Sequence, residues 1–195
     1  MGEAEQPKRA RDNPLVVLVM IVVICGCLFI IIKGIFFPPN LASMLGPPEL
    51  VAQDLGPMDL AWSVQQLDGP PMDMAQLKGK VVFLNFWEHW CPPCVAEMPS
   101  IQPLRQKLEG ADVVVLPVFR EDPSATRKFV AGHGITMPVY QVVGPLPADV
   151  AAEEIPTTYI IGRDGQVVVK ETGAATWDDD SVVAFLRGLE AKESP

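Results

Sequence analysis

Cys91 and Cys94 flank two prolines, and a thiol pair at that spacing can open and close a small disulfide ring. What the pair can do depends on the elements around it. Val81-Val82-Phe83-Leu84-Asn85-Phe86 is an almost continuous apolar run of strand length, the pattern of a strand buried on both faces. After Cys91, the residues Val95, Met98, Ile101, Leu104 and Leu108 recur at helical spacing. The cysteines therefore fall where a buried strand ends and a helix begins. A helix N-terminus offers free N–H groups and a favourable dipole, and both stabilise thiolate over thiol. Pro92 and Pro93 suit the first helical positions, where a missing N–H costs little. The division of labour that follows makes Cys91 the exposed attacking sulfur and Cys94 the inner, resolving one.

Other chemistries for the same residues fit less well. A structural zinc site needs about four ligands. The remaining cysteines are Cys25 and Cys27, and His89 and His133 show no ligand spacing, so no metal site is expected. An inert disulfide across so tight a ring adds little chain-entropy stabilisation. A copper-delivery module would use Cys91 and Cys94 with a third ligand such as His133. A thiol peroxidase would need a Thr and an Arg around one peroxidatic Cys, and no Thr precedes Cys91 at a matching spacing. Glu97 lies three residues beyond Cys94, so i,i+3 geometry keeps it near the same end of the helix. An acidic Glu88 near Cys91 would raise the thiol pKa and a protonated His89 would lower it, which leaves the net sign open. Trp87 and Trp90 read as core and rim packing, with Trp90 flanking a substrate groove. His133 reads as a loop residue between two glycines.

The elements that carry this pair belong to a chain of two physically different parts. With 49% hydrophobic and 20% charged residues, wholesale disorder is excluded, and four Cys are too few for a disulfide scaffold. The formal charge of −9 removes the electrostatic argument for nucleic-acid binding. Leu15 to Ile32 is a run of 18 residues without charge, and the apolar character continues past Lys33 to Phe37. At 1.5 Å per residue, that stretch spans about 34 Å, enough for a ~30 Å hydrocarbon core. No A-x-A-like site closes the run, which favours an uncleaved anchor over a signal peptide. Ile24-Cys25-Gly26-Cys27 loosely resembles a lipoprotein cleavage box ending at Cys27. Apolar residues follow directly where such a box normally closes the run, which favours Cys25 and Cys27 as helix residues over a lipidated Cys27. Lys8, Arg9 and Arg11 precede the run and place that end in the cytoplasm, with the rest of the chain periplasmic or extracellular.

The expected organisation is a cytoplasmic tail (1–14), a transmembrane anchor (15–37), a Pro-rich tether (38–58) and a folded domain (59–195). Within the domain, strands are expected near 61–65, 81–86 and 112–118, and helices over 91–108 and 123–131. A hairpin is expected over 157–170 around Arg163-Asp164-Gly165, and a closing helix over 181–190. The expected class is α/β, a mixed sheet with helices on both faces, preceded by one transmembrane helix.

The segment from Val81 through Cys91-Pro92-Pro93-Cys94 to Glu97-Met98-Pro99 resembles the active-site segment of the TlpA/ResA-like thiol–disulfide oxidoreductases, membrane-anchored members of the thioredoxin superfamily. The likeness extends over roughly 59–190 and takes in Leu77-Lys78-Gly79-Lys80 and Ile155-Pro156-Thr157-Thr158-Tyr159. It implies a thioredoxin-like fold and a cis proline at Pro156 beside the two sulfurs, helping to present backbone to a substrate peptide. Trp90, Pro92, Ile155 and Pro156 are the residues expected to meet substrate. The resemblance also implies that Glu97 moves a proton to and from Cys94. Thioredoxin itself usually has a buried Asp where this chain has Asn85, which cannot take a proton. Glu88 departs from the small residue common at its position. Copper chaperones of this fold usually space their cysteines more widely.

The expected function is a tethered protein-disulfide reductase acting on exported proteins, with a Cys91–Cys94 redox disulfide and no other cofactor. Clients would be proteins with disulfides or thiols, and the resemblance implies apocytochrome c or another metalloprotein in assembly among them, with the electron supply that follows. A membrane thiol-electron transporter would supply electrons, and lipid would be met through the anchor. The same cysteines could run as an oxidase, because direction is set by potential and partners.

Overall fold

The computed structural model describes residues 14–36, 44–148, 150 and 154–191, with side chains of the first helix described to residue 29. The chain divides into two compact units between Leu41 and Ala42. The first contains helix α1, Pro14–Phe36, which is 23 residues long. Its described side chains from Leu15 to Phe29 are exposed. Among the described residues, no helix is long and apolar enough to cross a membrane. Lys8, Arg9 and Arg11, and the Pro38-Pro39 pair, lie outside the described residues, as does the side chain of Lys33.

The second unit is built on a seven-stranded sheet. Its strands are β1 (Ser63–Gln66), β2 (Pro71–Asp73), β3 (Val81–Phe86), β4 (Val113–Phe119), β5 (Tyr140–Val143), β6 (Thr157–Ile161) and β7 (Val167–Thr172), in the spatial order β2-β1-β5-β4-β3-β6-β7. β3 lies parallel to β4 and antiparallel to β6, so the sheet is mixed. All six residues of β3 are buried, as the unbroken apolar run predicts for a strand covered on both faces. The period-2 pleat sorts them. Val81 and Phe83 join one core with α2 (Pro92–Lys107) and α4 (Asp180–Glu190), while Val82, Leu84 and Phe86 join the other.

That sorting alters the expected layering. The partly buried side chains of α3 (Pro123–Gly132), Phe129 and Val130, also pack on the first core. Among the described residues, the second core takes no side chain from α2, α3 or α4. It is closed by Met58, Leu60 and Trp62 and by Met74 and Leu77 of a short 3-10 turn, so only that turn represents helix on the second face. The physical reason is topological: β3, β4 and β5 are parallel neighbours in that order, so two right-handed crossovers step the same way across the sheet and put α2 and α3 on one face.

The Pro-rich stretch expected as a tether is docked over its described length. Gln53 and Leu55 donate backbone hydrogen bonds to Val168 and Val167, at 2.8 and 3.1 Å. Val167 donates back to Gly56, and Pro57 bridges Gln166. Residues 53–57 thus run as an extra edge along β7, which satisfies backbone groups an edge strand would otherwise expose. Earlier in the same stretch, Thr176 binds the carbonyls of Gly46 and Leu45 through its N–H and its hydroxyl. Proline-rich composition rules out helix here, but it does not rule out an extended strap laid on a sheet edge.

Docking has a measurable consequence. Met58 is 6% exposed, whereas Leu55 is 47% exposed. In the full-length chain, Met58→Ala is expected to cost about 2–4 kcal/mol in urea unfolding and Leu55→Ala under about 1 kcal/mol. Equal, negligible losses at both positions would mean that the strap contributes nothing to the folded domain.

Candidate active site

The C-terminal end of β3 delivers the two cysteines. Trp87 N–H donates to Val118 O at 3.0 Å and closes the strand, and Cys91 is the N-cap of α2 with Pro92 and Pro93 in the first turn. Cys91 and Cys94 form a disulfide, with Cα atoms 5.3 Å apart. Cys94 N–H also donates to Cys91 Sγ at 3.3 Å. The first sulfur therefore sits in the cap, receiving one of the N–H groups that helix formation leaves over. One expectation needs correction. Cys91 is only 4% exposed, scarcely more open than Cys94 at 0%. Its cover comes from across the sheet.

That cover is placed by strand register. β6 pairs with β3 so that Asn85 lies opposite Thr158 and Phe86 opposite Thr157. Residues just before β6 must then lie beside those just after β3. Cys91 Sγ is 3.8 Å from Ile155 O, and the Ile155–Pro156 peptide bond is cis. Pro156 and Thr157 are buried, and the Thr157 hydroxyl donates to Glu154 O at 2.8 Å and closes that loop. Trp90 is 55% exposed beside Cys91, and its indole N–H donates to Glu121 Oε2 at 2.9 Å. Pro92 is exposed at the first position of α2. Trp90, Pro92, Ile155 and Pro156 thus border the disulfide from two loops that the sequence separates by about sixty residues.

Glu97 is fully buried on α2. Its Oε1 accepts from Asn85 Nδ2 at 2.9 Å, and its Oε2 accepts from Trp177 Nε1 at 2.9 Å and from Ala175 N at 3.3 Å. Burial pushes its pKa up to about 7, against the pull of those three donors. The groups acting on it are all uncharged, so desolvation wins. Asn85 adds a further property. Its Nδ2 also donates to Thr158 Oγ1 at 2.9 Å, while its Oδ1 has no partner. Turning the amide over would present that oxygen to a protonated Glu97. An Asn can therefore serve both protonation states, as a donor to carboxylate or an acceptor from carboxylic acid.

Glu88 is the second buried acid of this region. Its Oε1 accepts from Arg120 N at 2.8 Å, which ties the loop before Cys91 to the end of β4. Its own carbonyl accepts from Cys91 N at 3.1 Å. Burial, first, and the neighbouring Glu121 raise its pKa, while the backbone donors oppose them. Trp87 packs against Phe119 and Phe129 in the core. His133 caps α3 and stacks on Phe129 at 3.9 Å between ring centroids. Among the described residues, no three His, Cys, Asp or Glu side chains are arranged to hold a metal ion.

Three contributors were not visible as such in the sequence: Trp177, Ala175 and Thr158. Thr158 follows from pairing register alone. Trp177 carried one available signal, since it is the only Trp after Trp90 and stands in a short loop between a strand and a helix.

The chain is similar to known proteins. Residues 58–170 match the AhpC/TSA family. A thiol-disulfide oxidoreductase ResA of Bacillus cereus is 30% identical over 172 residues, covering 85% of this chain and 91% of its own. A ResA of Halalkalibacterium halodurans is 33% identical over 115 residues, 58% of this chain. Of that relative and one from Bacillus thuringiensis the chain spans just under two thirds, 65% and 66%. Among solved structures, a putative thiol:disulfide interchange protein DsbE from Chlorobium tepidum superposes with TM-score 0.60 at 22% identity, covering 70% of this chain and 99% of that one. A secreted Mycobacterium tuberculosis disulfide oxidoreductase gives 0.55 at 29% identity, covering 65% and 97%.

The raised pKa of Glu97 predicts a pH signature in stability. An unfolded Glu titrates near its ordinary value, so between about 4.5 and 7 the folded state holds a proton that the unfolded state releases. The contribution is fully present below about pH 4.5 and is lost as pH rises through about 7. Oxidised wild type is expected to lose on the order of 3 kcal/mol relative to Glu97→Gln across that window. Parallel urea-stability curves for the two proteins from pH 4.5 to 8 would show that Glu97 titrates normally.

Proposed function

We propose, for a chain that belongs to the AhpC/TSA family and resembles its ResA-type thiol–disulfide oxidoreductases, a membrane-tethered protein-disulfide reductase working through Cys91 and Cys94. The observation that carries the reading is the placement of a disulfide at a helix N-cap, with one sulfur against the backbone before cis-Pro156 and a buried carboxyl on the same helix. In the reduced protein, the Cys91 thiolate attacks one sulfur of a client disulfide. The client S–S bond breaks, an S–S bond to Cys91 forms, and the departing client thiolate takes a proton. Cys94 gives its proton to Glu97 and attacks Cys91 Sγ. The second client thiolate leaves, two electrons have passed to the client, and the Cys91–Cys94 disulfide remains. Trp90, Pro92, Ile155 and Pro156 form the rim a client peptide would lie on.

The strand end before Cys91 supports this order of events. Cys91 faces the Ile155 carbonyl and the rim, whereas Cys94 lies inward on α2. The regenerating electrons would come from a membrane thiol transporter, and an apocytochrome c or another metalloprotein in assembly fits as client. Both are what the resemblance to the TlpA/ResA-like proteins implies, and both need an extracytoplasmic location. The apolar run of 15–37, preceded by Lys8, Arg9 and Arg11, supports an anchor with its N-terminus in the cytoplasm.

Two experiments test this. Cys91→Ser is expected to abolish insulin reduction, and Cys94→Ser to accumulate mixed disulfides on non-reducing gels. Adducts on Cys91→Ser and none on Cys94→Ser would reverse the two roles. Carbonate washing is expected to leave the full-length chain in membranes, with the domain open to external protease in spheroplasts. A soluble product beginning near Leu41 would overturn the anchor.

A further inference from the structure

Of the groups that bind Glu97, one can change its role and two cannot. Asn85 donates now but can offer Oδ1 instead. The Ala175 N–H and the Trp177 indole N–H are donors only, and both are directed at Oε2. A proton placed on Oε2 would confront two donors. One placed on Oε1 would meet an amide able to turn and accept it.

We propose that Trp177 is a positioning residue for proton transfer, holding Oε2 of Glu97 as a permanent acceptor so that the exchangeable proton of Cys94 enters and leaves at Oε1. The inference deepens the reading of Glu97 as the proton carrier and rests on it. The indole is well placed for the task. It is fully buried, its N–H lies 2.9 Å from Oε2, and its ring meets Phe83 edge-on at 4.9 Å and 81°. Its backbone N–H donates to Ser100 Oγ at 3.0 Å, and that hydroxyl donates to Glu97 O at 2.7 Å. The loop is therefore pinned to the same turn of α2 as the carboxyl it serves. The rest of the loop is held from two other sides. Gly173 N–H donates to Pro156 O at 2.9 Å, and Thr176 is bound to the strap at Gly46 and Leu45.

Every element packed around Glu97 presents an uncharged group to it. Asn85 comes from β3, Thr158 from β6 through Asn85, and Ala175 and Trp177 from the β7–α4 loop, while Ser100 of α2 binds the Glu97 backbone carbonyl. Cys94, once reduced, is the one other titrating group on the path. With no cation at hand, the Trp177 and Ala175 donors on Oε2 and the Asn85 amide on Oε1 are what favour the carboxylate, and a hydrogen bond to a charged acceptor is about twice as strong as a neutral one.

The test uses the full-length chain in detergent micelles. In the oxidised wild-type protein, the Trp177 indole N–H resonance, identified by its absence in Trp177→Phe, is expected to titrate with a midpoint near pH 7 and to stay constant in Glu97→Gln. Trp177→Phe keeps an aromatic ring against Phe83 but removes the donor. Its insulin-reduction profile is expected to shift to higher pH by about one pH unit. That is a roughly fivefold loss at pH 7, with the plateau above pH 9 retained. An indole resonance constant from pH 5 to 9, or a Trp177→Phe profile superimposed on wild type, would overturn the assignment. If Glu97→Gln itself keeps the wild-type profile, the proton-carrier reading fails first. If Glu97→Gln alters the profile and Trp177→Phe does not, only the role of Trp177 falls.

Discussion

A carboxyl group buried behind a disulfide, with no cation beside it, constrains most of this domain. Glu97 must be given donors or remain protonated, and its own helix supplies none to its side chain. They come from β3, through Asn85, and from the β7–α4 loop, through Ala175 and Trp177. β6 joins at one remove, because Thr158 holds the Asn85 amide. Two parts of the chain, one 12 residues before Glu97 and one up to 80 residues after it, must reach one side chain at hydrogen-bond distance. The sheet register fixes the Asn85 donor, and the loop donors are held because the loop is itself pinned at Ser100 and Pro156.

The same register that serves Glu97 also builds the outer half of the site. Pairing Asn85 with Thr158 brings Ile155 and Pro156 to the end of β3, where Cys91 begins α2. A one-residue slip would turn Asn85 away from Glu97 and carry cis-Pro156 away from the sulfur together. The proton site and the client rim are thus two consequences of one strand pairing. The strap adds a third tie, since it binds Thr176 next to Trp177 and lies along β7, which pairs with β6. Elements remote from the cysteines in sequence therefore bear on the geometry behind them.

Much of this was legible before any coordinates. The β3 run, the helical spacing after Cys91 and the Arg163-Asp164-Gly165 hairpin signal each depend on near neighbours in sequence, and each matches an observed element. The expected helices over 123–131 and 181–190 are found as α3 and α4, where Asp122 and Asp179 accept from the N–H two residues on. Glu97 could be singled out because it stands one turn from Cys94. Less visible was the strap, whose prolines announce extended chain but do not say what that chain lies against. The near-equal burial of Cys91 and Cys94 was also hidden, because the cover on Cys91 comes from Ile155, 64 residues away.

What the sequence determined by itself was local: a thiol pair at a strand–helix junction, a net acidic domain, a long apolar run at one end and the periods of the elements between. Those follow from covalent spacing, and spacing survives in any conformation. The tertiary structure decided the surroundings of each group. It made Glu97 a buried acid titrating near neutrality, gave Asn85 a choice of two hydrogen-bonding states, and brought Trp177 to Oε2 across 80 residues. Burial and register are properties of pairs distant in sequence, and these settle how a carboxyl group ionises.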